Sequence, residues 1–233
     1  MSDQIITGLA GLRTARTATH RLIFRDGTIT GWLSQGKIIN GSLARDSGNT
    51  GDLDVLRPGL LMGKITSGGK YAPSVIGVLT QAEIATATSV TVSAAQAVEL
   101  VRRVGSTGTL RFVGPPTANG TVATFTETYS AVNTGNGVVT VSALDAALVA
   151  GSFLVANDGS QIPVTFIPDG YGVKATDIDG LNLDVPFPAM PIAGVITVEQ
   201  FLPVWPTDTS LQAWIRTNLS TLSGGKFVFS DQF

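Results

Sequence analysis

The sequence predicts a mainly β fold with short helices, and three observations carry that expectation. Only 14% of the 233 residues are charged, while 27 glycines stand among many Thr, Val and Ala residues, the composition of turn-rich β structure. Short apolar runs are punctuated by Pro58-Gly59, Gly68-Gly69 and Asn136-Gly137, pairs that make tight turns between strands. Helical periodicity surfaces only briefly. The hydrophobic fraction of 43% is ample for a buried core.

Residues 1 to 45 hold short apolar pieces (Leu22 to Phe24, Trp32-Leu33, Ile38-Ile39) separated by Gly27, Gly31, Gly36 and Gly41. They read as an extended N-terminal arm, or as a pair of ordinary edge strands with solvated arginines. An arm with so few large apolar residues gains most of its burial against a partner. Strands follow over 60–66, 71–79 and 88–92. The period then changes: Ser93 and Gln96 form a capping box, Ala97, Leu100, Val101 and Val104 fall at helical spacing, and Gly105 stops the chain. A helix over about 94–104 is expected.

Beyond Thr107 the chain returns to strands at 109–113 and 121–132. In the second, Thr124, Thr126 and Thr128 alternate with Ala123, Phe125, Glu127 and Tyr129, so one face is polar and the other mostly buried. Asn136-Gly137 predicts a hairpin into 138–141. The string VTVSALDA at 139–146 echoes VTVSAAQA at 90–97, 49 residues earlier, which predicts a second passage from strand to capped helix; the echo is either a coincidence of eight residues rich in Val, Thr, Ser and Ala or the mark of a duplicated unit. A strand at 152–155 precedes a loop-rich stretch over 157–184. The prolines between Val185 and Pro191 read as an extended linker. A strand at 192–198, a helix capped by Asp208 with Leu211, Trp214, Ile215 and Leu219 on one face, and a last strand at 226–229 complete the chain.

The resulting division is an arm at 1–45, a β core from 46–104 and 186–233, and an inserted antiparallel β domain at 105–185. Charge follows a similar division. Residues 1–45 carry six basic and two acidic side chains, a net of +4, whereas 112–215 carry Lys174 against nine carboxylates, a net of −8. An acidic body facing solvent and a basic arm facing an acidic surface would be consistent with this asymmetry.

No constellation for chemistry emerges. Gly59 to Thr66 superficially resembles a phosphate loop, but three residues stand between the glycines where four are needed, and Ile65 follows Lys64 in place of Ser or Thr. Asp177, Asp179, Asn182 and Asp184 cluster near Gly180, yet Leu181 stands where a calcium loop needs a donor and no Glu closes a twelve-residue loop. His20 is the only histidine and there is no cysteine, so neither a triad nor a zinc site is expected. Nucleic-acid binding through Arg13, Arg16, Arg21 and Arg25 is disfavoured by the missing aromatic platform and the acidic remainder. Neither an enzyme nor a cofactor or metal is expected. No run reaches the length of a membrane span, and a soluble, unsecreted product is the expectation.

The segment from Leu53 to Val78 resembles the lambda-type head decoration proteins of tailed phages. The likeness lies in Arg57-Pro58-Gly59, Gly63-Lys64-Ile65 and Gly69-Lys70-Tyr71. Gly114-Pro115-Pro116, Tyr129 to Asn133 and Asn157 to Ser160 are similar to modules of phage structural proteins. Together these cover under half the chain. The resemblance implies a small β-barrel or β-tulip-like core and a structural virion protein, made in the host cytoplasm, that cements the outer capsid surface. Its implied partners are the major capsid protein and its own copies in a homotrimer, with neither nucleic acid nor membrane. Lambda-type proteins are far shorter, which makes 105–185 the departure. The expected capsid contacts are Arg13, Arg16, Arg21, Phe24, Arg25 and Trp32, so deleting residues 1–40 should abolish binding while the remainder stays folded. A tail or fibre component with a glycan-binding β domain is the alternative.

Overall fold

In the computed structural model of the chain, strand outweighs helix by 38% to 14%, so the mainly β class is observed. The structure describes residues 4–6, 16–18, 31–33, 37–49, 51–116, 122–168, 172–175, 184–187, 190–196, 202–221 and 227–229. In chain order the first strands are β1 (Gln4–Ile6), β2 (Arg16–Ala18), β3 (Gly31–Leu33), β4 (Ile38–Ile39), β5 (Val55–Leu56), β6 (Leu61–Lys64), β7 (Tyr71–Pro73), β8 (Gly77–Val78) and β9 (Ser89–Thr91). After helix α1 (Ala94–Val104) come β10 (Gly108–Pro116), β11 (Val122–Asn133), β12 (Val138–Val141), β13 (Phe153–Val155), β14 (Pro163–Phe166), β15 (Val173–Lys174), β16 (Val185–Pro186) and β17 (Met190–Ile196). Helix α2 (Thr209–Thr221) and β18 (Phe227–Phe229) follow.

The largest sheet runs β8-β13-β10-β11-β12-β9. Strand twist carries its two edges toward each other: the Thr80 N–H donates to the Thr91 carbonyl at 2.9 Å, and a Cβ on Gly77 would meet Val92 Cγ1 at 3.0 Å. One sheet of the fold is a curled half-barrel, and these edge contacts identify it with this six-stranded one. Helix α1 fills its concave side, burying Ala97 and Leu100 among Val90, Leu110, Phe112 and Val139. The expected helix ends are both observed. Ser93 Oγ accepts from the Gln96 N–H at 3.2 Å and Gln96 Oε1 from the Ser93 N–H at 3.3 Å, while Gly105, at φ 93°, ends the helix.

A five-stranded sheet, β14-β6-β7-β4-β16, packs Ile39, Leu56, Met62, Tyr71, Ile167 and Phe187 into a second core. Between this sheet and the half-barrel lies α2, whose Leu211, Ile215 and Leu219 meet Phe153, Phe166 and Phe227. Asp208 caps α2 as expected, accepting from the Ser210 and Leu211 N–H groups at 2.9 and 3.0 Å. The β11–β12 hairpin also forms, with Gly137 at φ 79° in its turn.

Four expectations about organisation need correction. Residues 105–185 do not make a sheet of their own: β12 pairs with β9, β13 with β8, β14 with β6 and β15 with β5. The curled sheet therefore takes most of its strands from the region read as an insertion. Residues 38–45 belong to the body as well, since β4 lies inside the five-stranded sheet and Ile39 and Ala44 are fully buried. The proline run supplies β16 and the start of β17, with Pro186 opposite Ile38 and Pro191 opposite Trp32; Pro186 lies in an edge strand and Pro191 at a strand start ahead of the β18 pairing, which begins at Gly194, positions that tolerate proline. Finally, VTVSALDA leads into no second helix. Ser142 Oγ bonds to the Glu127 carboxylate, and the Asp145 N–H donates to Glu127 Oε1 at 3.0 Å, so the would-be cap is consumed across the sheet. The two similar strings in fact pair with each other, Val90 opposite Val139.

Candidate functional site

A cleft of about 80 Å³ lies between α1 and the loop at 45–48. Its helix side comes from Gln96, Glu99 and Arg103, spaced i, i+3 and i+7 and therefore on one face. Its loop side comes from Arg45, Asp46, Ser47 and Gly48, with Arg57 reaching across. Pro203 and Val204, just before α2, close a third side.

Each charge here is held by a specific partner. Asp46 is 2% exposed and accepts four bonds: Arg57 Nε at 2.5 Å, Arg57 Nη2 at 2.8 Å, the Arg57 N–H at 3.3 Å and the Gly48 N–H at 3.1 Å. This bidentate fork explains Arg57 of the Arg-Pro-Gly segment as a structural residue. Arg45 Nε pairs with Asp54 at 2.7 Å, and its Nη1 donates to the Gly41 and Ala44 carbonyls at 2.7 and 2.6 Å. Burial, with Arg102 nearby, lowers the Arg45 pKa. Arg102 Nε donates to Glu99 Oε2 at 2.7 Å and Nη2 to Glu99 Oε1, while its guanidinium also reaches the carbonyls of Ser42 and Leu43.

Arg103 is the most enclosed of these groups, its side chain 1% exposed. Nη1 donates to the Pro73 carbonyl, and Nη2 to Ser160 Oγ and to Asp158 Oδ2 at 3.4 Å. Desolvation lowers the Arg103 pKa against the opposing pull of Asp158. For Asp158 burial pushes the pKa up, but Arg103 and the hydrogen bonds from Ser160 outweigh it and leave the carboxyl below its ordinary 3.8. Together Arg103, Ser160 and Asp158 tie α1 to the turn after β13.

Among the described residues no three His, Cys, Asp or Glu side chains gather where they could hold a metal ion. Asp184 pairs with Lys70 at 2.5 Å; Asp177, Asp179 and Asn182 lie outside the described residues. The cleft can hold a small polar guest by hydrogen bonds. Its described lining contains one hydroxyl, Ser47, and no histidine.

Of the expected contact residues, Arg13, Arg21, Phe24 and Arg25 lie outside the described residues. Arg16 stands in β2 opposite Ile6, and Trp32 in β3 opposite Pro191. Among the described residues β1 and β2 pair with each other alone, whereas β3 joins the β18-β17-β3 sheet. Of the cleft's helix residues the sequence singles out Gln96 alone, as half of the capping box, and gives no local sign of Glu99 or Arg103. Gln96, Glu99 and Arg103 share a stripe with the buried Ala97 and Leu100.

Compared with protein-family models, curated proteins and solved structures, the chain matches none of them.

Proposed function

We propose that this chain is a structural virion protein that binds the outer surface of a tailed-phage capsid. It cements capsomers by non-covalent contact with the major capsid protein, acts as a homotrimer and performs no catalysis. The observation that carries this reading is the charge division, six basic against two acidic residues over 1–45 and one against nine over 112–215. A basic segment joined to an acidic body suits attachment at an acidic protein surface. The likeness of residues 53–78 to lambda-type decoration proteins supports the same reading, as does the use of the cleft's charges in ion pairs. Weak contacts suffice, because symmetry-related copies multiply them into firm attachment.

Labelling this chain in intact particles tests the proposal. Decoration predicts on the order of hundreds of copies on the head, set by capsid symmetry. A few copies on the tail would replace it with the fibre reading.

A further inference from the structure

We propose that the cleft between α1 and the 45–48 loop is a binding site for a small oxyanion, a carboxylate or an inorganic anion of similar size. The hydrogen-bond inventory of its walls carries the inference. The carboxylates and the amide oxygen of the lining are already engaged: Asp46 by Arg57 and Gly48, Glu99 by Arg102, and Gln96 Oε1 by the N–H groups of Val78 and Ser93, while the Ser47 hydroxyl can serve as donor or acceptor. Donors are left over. Arg103 Nε is buried without an acceptor, although its residue is only 8% exposed. Arg57 spends Nε and Nη2 on Asp46, which leaves Nη1. Because Gln96 Oε1 accepts two backbone N–H groups, the amide orientation is fixed and Nε2 is the spare end.

Spare donors from three side chains, two of them guanidinium groups, select a guest that only accepts. A carboxylate or phosphate-type oxygen meets that demand with charge as well as lone pairs. Arg45 adds a third positive charge to the lining. The volume of about 80 Å³ holds roughly six waters at about 13 Å³ each, so one small oxyanion fits and a nucleotide does not. A buried donor without an acceptor is uncommon and calls for an explanation, and a guest in the cleft would supply one for Arg103 Nε. The site is independent of the proposed capsid role. Its guest is either a free anion or an acidic side chain of another polypeptide.

The test follows the arginine Nε–H signals of the full-length chain by NMR, with Arg103 assigned through its backbone. Sodium phosphate, and separately N-acetyl-glutamate amide, replace chloride at constant ionic strength so that screening stays fixed. The expected result is a saturable movement of the Arg103 signal while that of Arg111 stays still. Response to phosphate alone identifies a free anion, and response to the glutamate probe alone a polypeptide carboxylate. Gln96→Glu keeps the capping box but puts a carboxylate in the cleft, and should weaken binding by about tenfold or more. An Arg103 signal unmoved by both probes, or equal binding by Gln96→Glu, overturns the proposal and leaves a water-filled cleft.

Discussion

The Ser160 carbonyl oxygen occupies the space that a side chain on Gly63 would need: a Cβ built there would stand 1.9 Å from that oxygen and 2.7 Å from Ser160 Cα. Strand β6 and the turn after β13 therefore touch backbone to backbone. The glycine of Gly63-Lys64-Ile65 is there for close approach, not for a turn. Ser160 in turn receives Arg103 and donates to Asp158, so this contact positions the last turn of α1 and one wall of the cleft.

Gly63→Ala should cost about 3 kcal/mol or more, because no flexible side chain can yield to relieve a backbone clash. Gly68→Ala is the control. That glycine has φ 85° but nothing within 4 Å of its Cβ position, so only the left-handed backbone is penalised, by about 1 kcal/mol. Urea unfolding of both variants measures the difference. Equal losses would show that the β6 contact is not tight.

Arg57→Ala should destabilise by about 3–5 kcal/mol, because it strands the nearly fully buried Asp46 carboxylate without its fork. Replacing both partners, as in Asp46→Leu with Arg57→Met, should recover most of that loss. A double variant as unstable as the single one would mean that the pair supplies more than mutual neutralisation.

Asp158 sets a pH dependence whose sign follows from its depressed pKa. Its contribution is fully present above the ordinary value of 3.8 and is lost as pH falls below 3.8 toward the folded-state pKa. Asp158→Asn should therefore lower stability at neutral pH, and the gap to wild type should narrow below about pH 4. Denaturant melts across pH 2.5 to 7 would record it. A constant gap through the acid range would assign the acid sensitivity to other carboxylates.

What was legible in the sequence was what neighbouring residues decide. Ser93, Gln96 and Gly105 mark both ends of α1 and Asp208 marks the start of α2, because a cap is a contact within a few residues. The threonines of β11 likewise reveal its exposed face. Beyond the Asn136-Gly137 hairpin, sheet partners were not legible, since Val-Thr strands carry alternation but no address. Val90 and Val139 therefore read as duplicated positions and turn out to face each other across two strands. Ser142 carried the same local pattern as Ser93, and only Glu127, 15 residues away, diverts it. Nothing local marks Arg103 and Glu99 as buried, because their burial depends on chain segments brought in from far along the sequence, whereas Glu127 stands on the face of β11 that alternation already marks as mostly buried.

The measurement closest to the proposed role is co-sedimentation of a chain lacking residues 1–30 with expanded capsids stripped of this protein. The cut spares β3 and β4, which belong to the body's sheets, where deletion to residue 40 would remove both. Loss of capsid binding by a truncated chain that keeps the circular dichroism and melting temperature of the body is the expected result. Binding equal to that of the full chain would contradict attachment through the basic N-terminal segment.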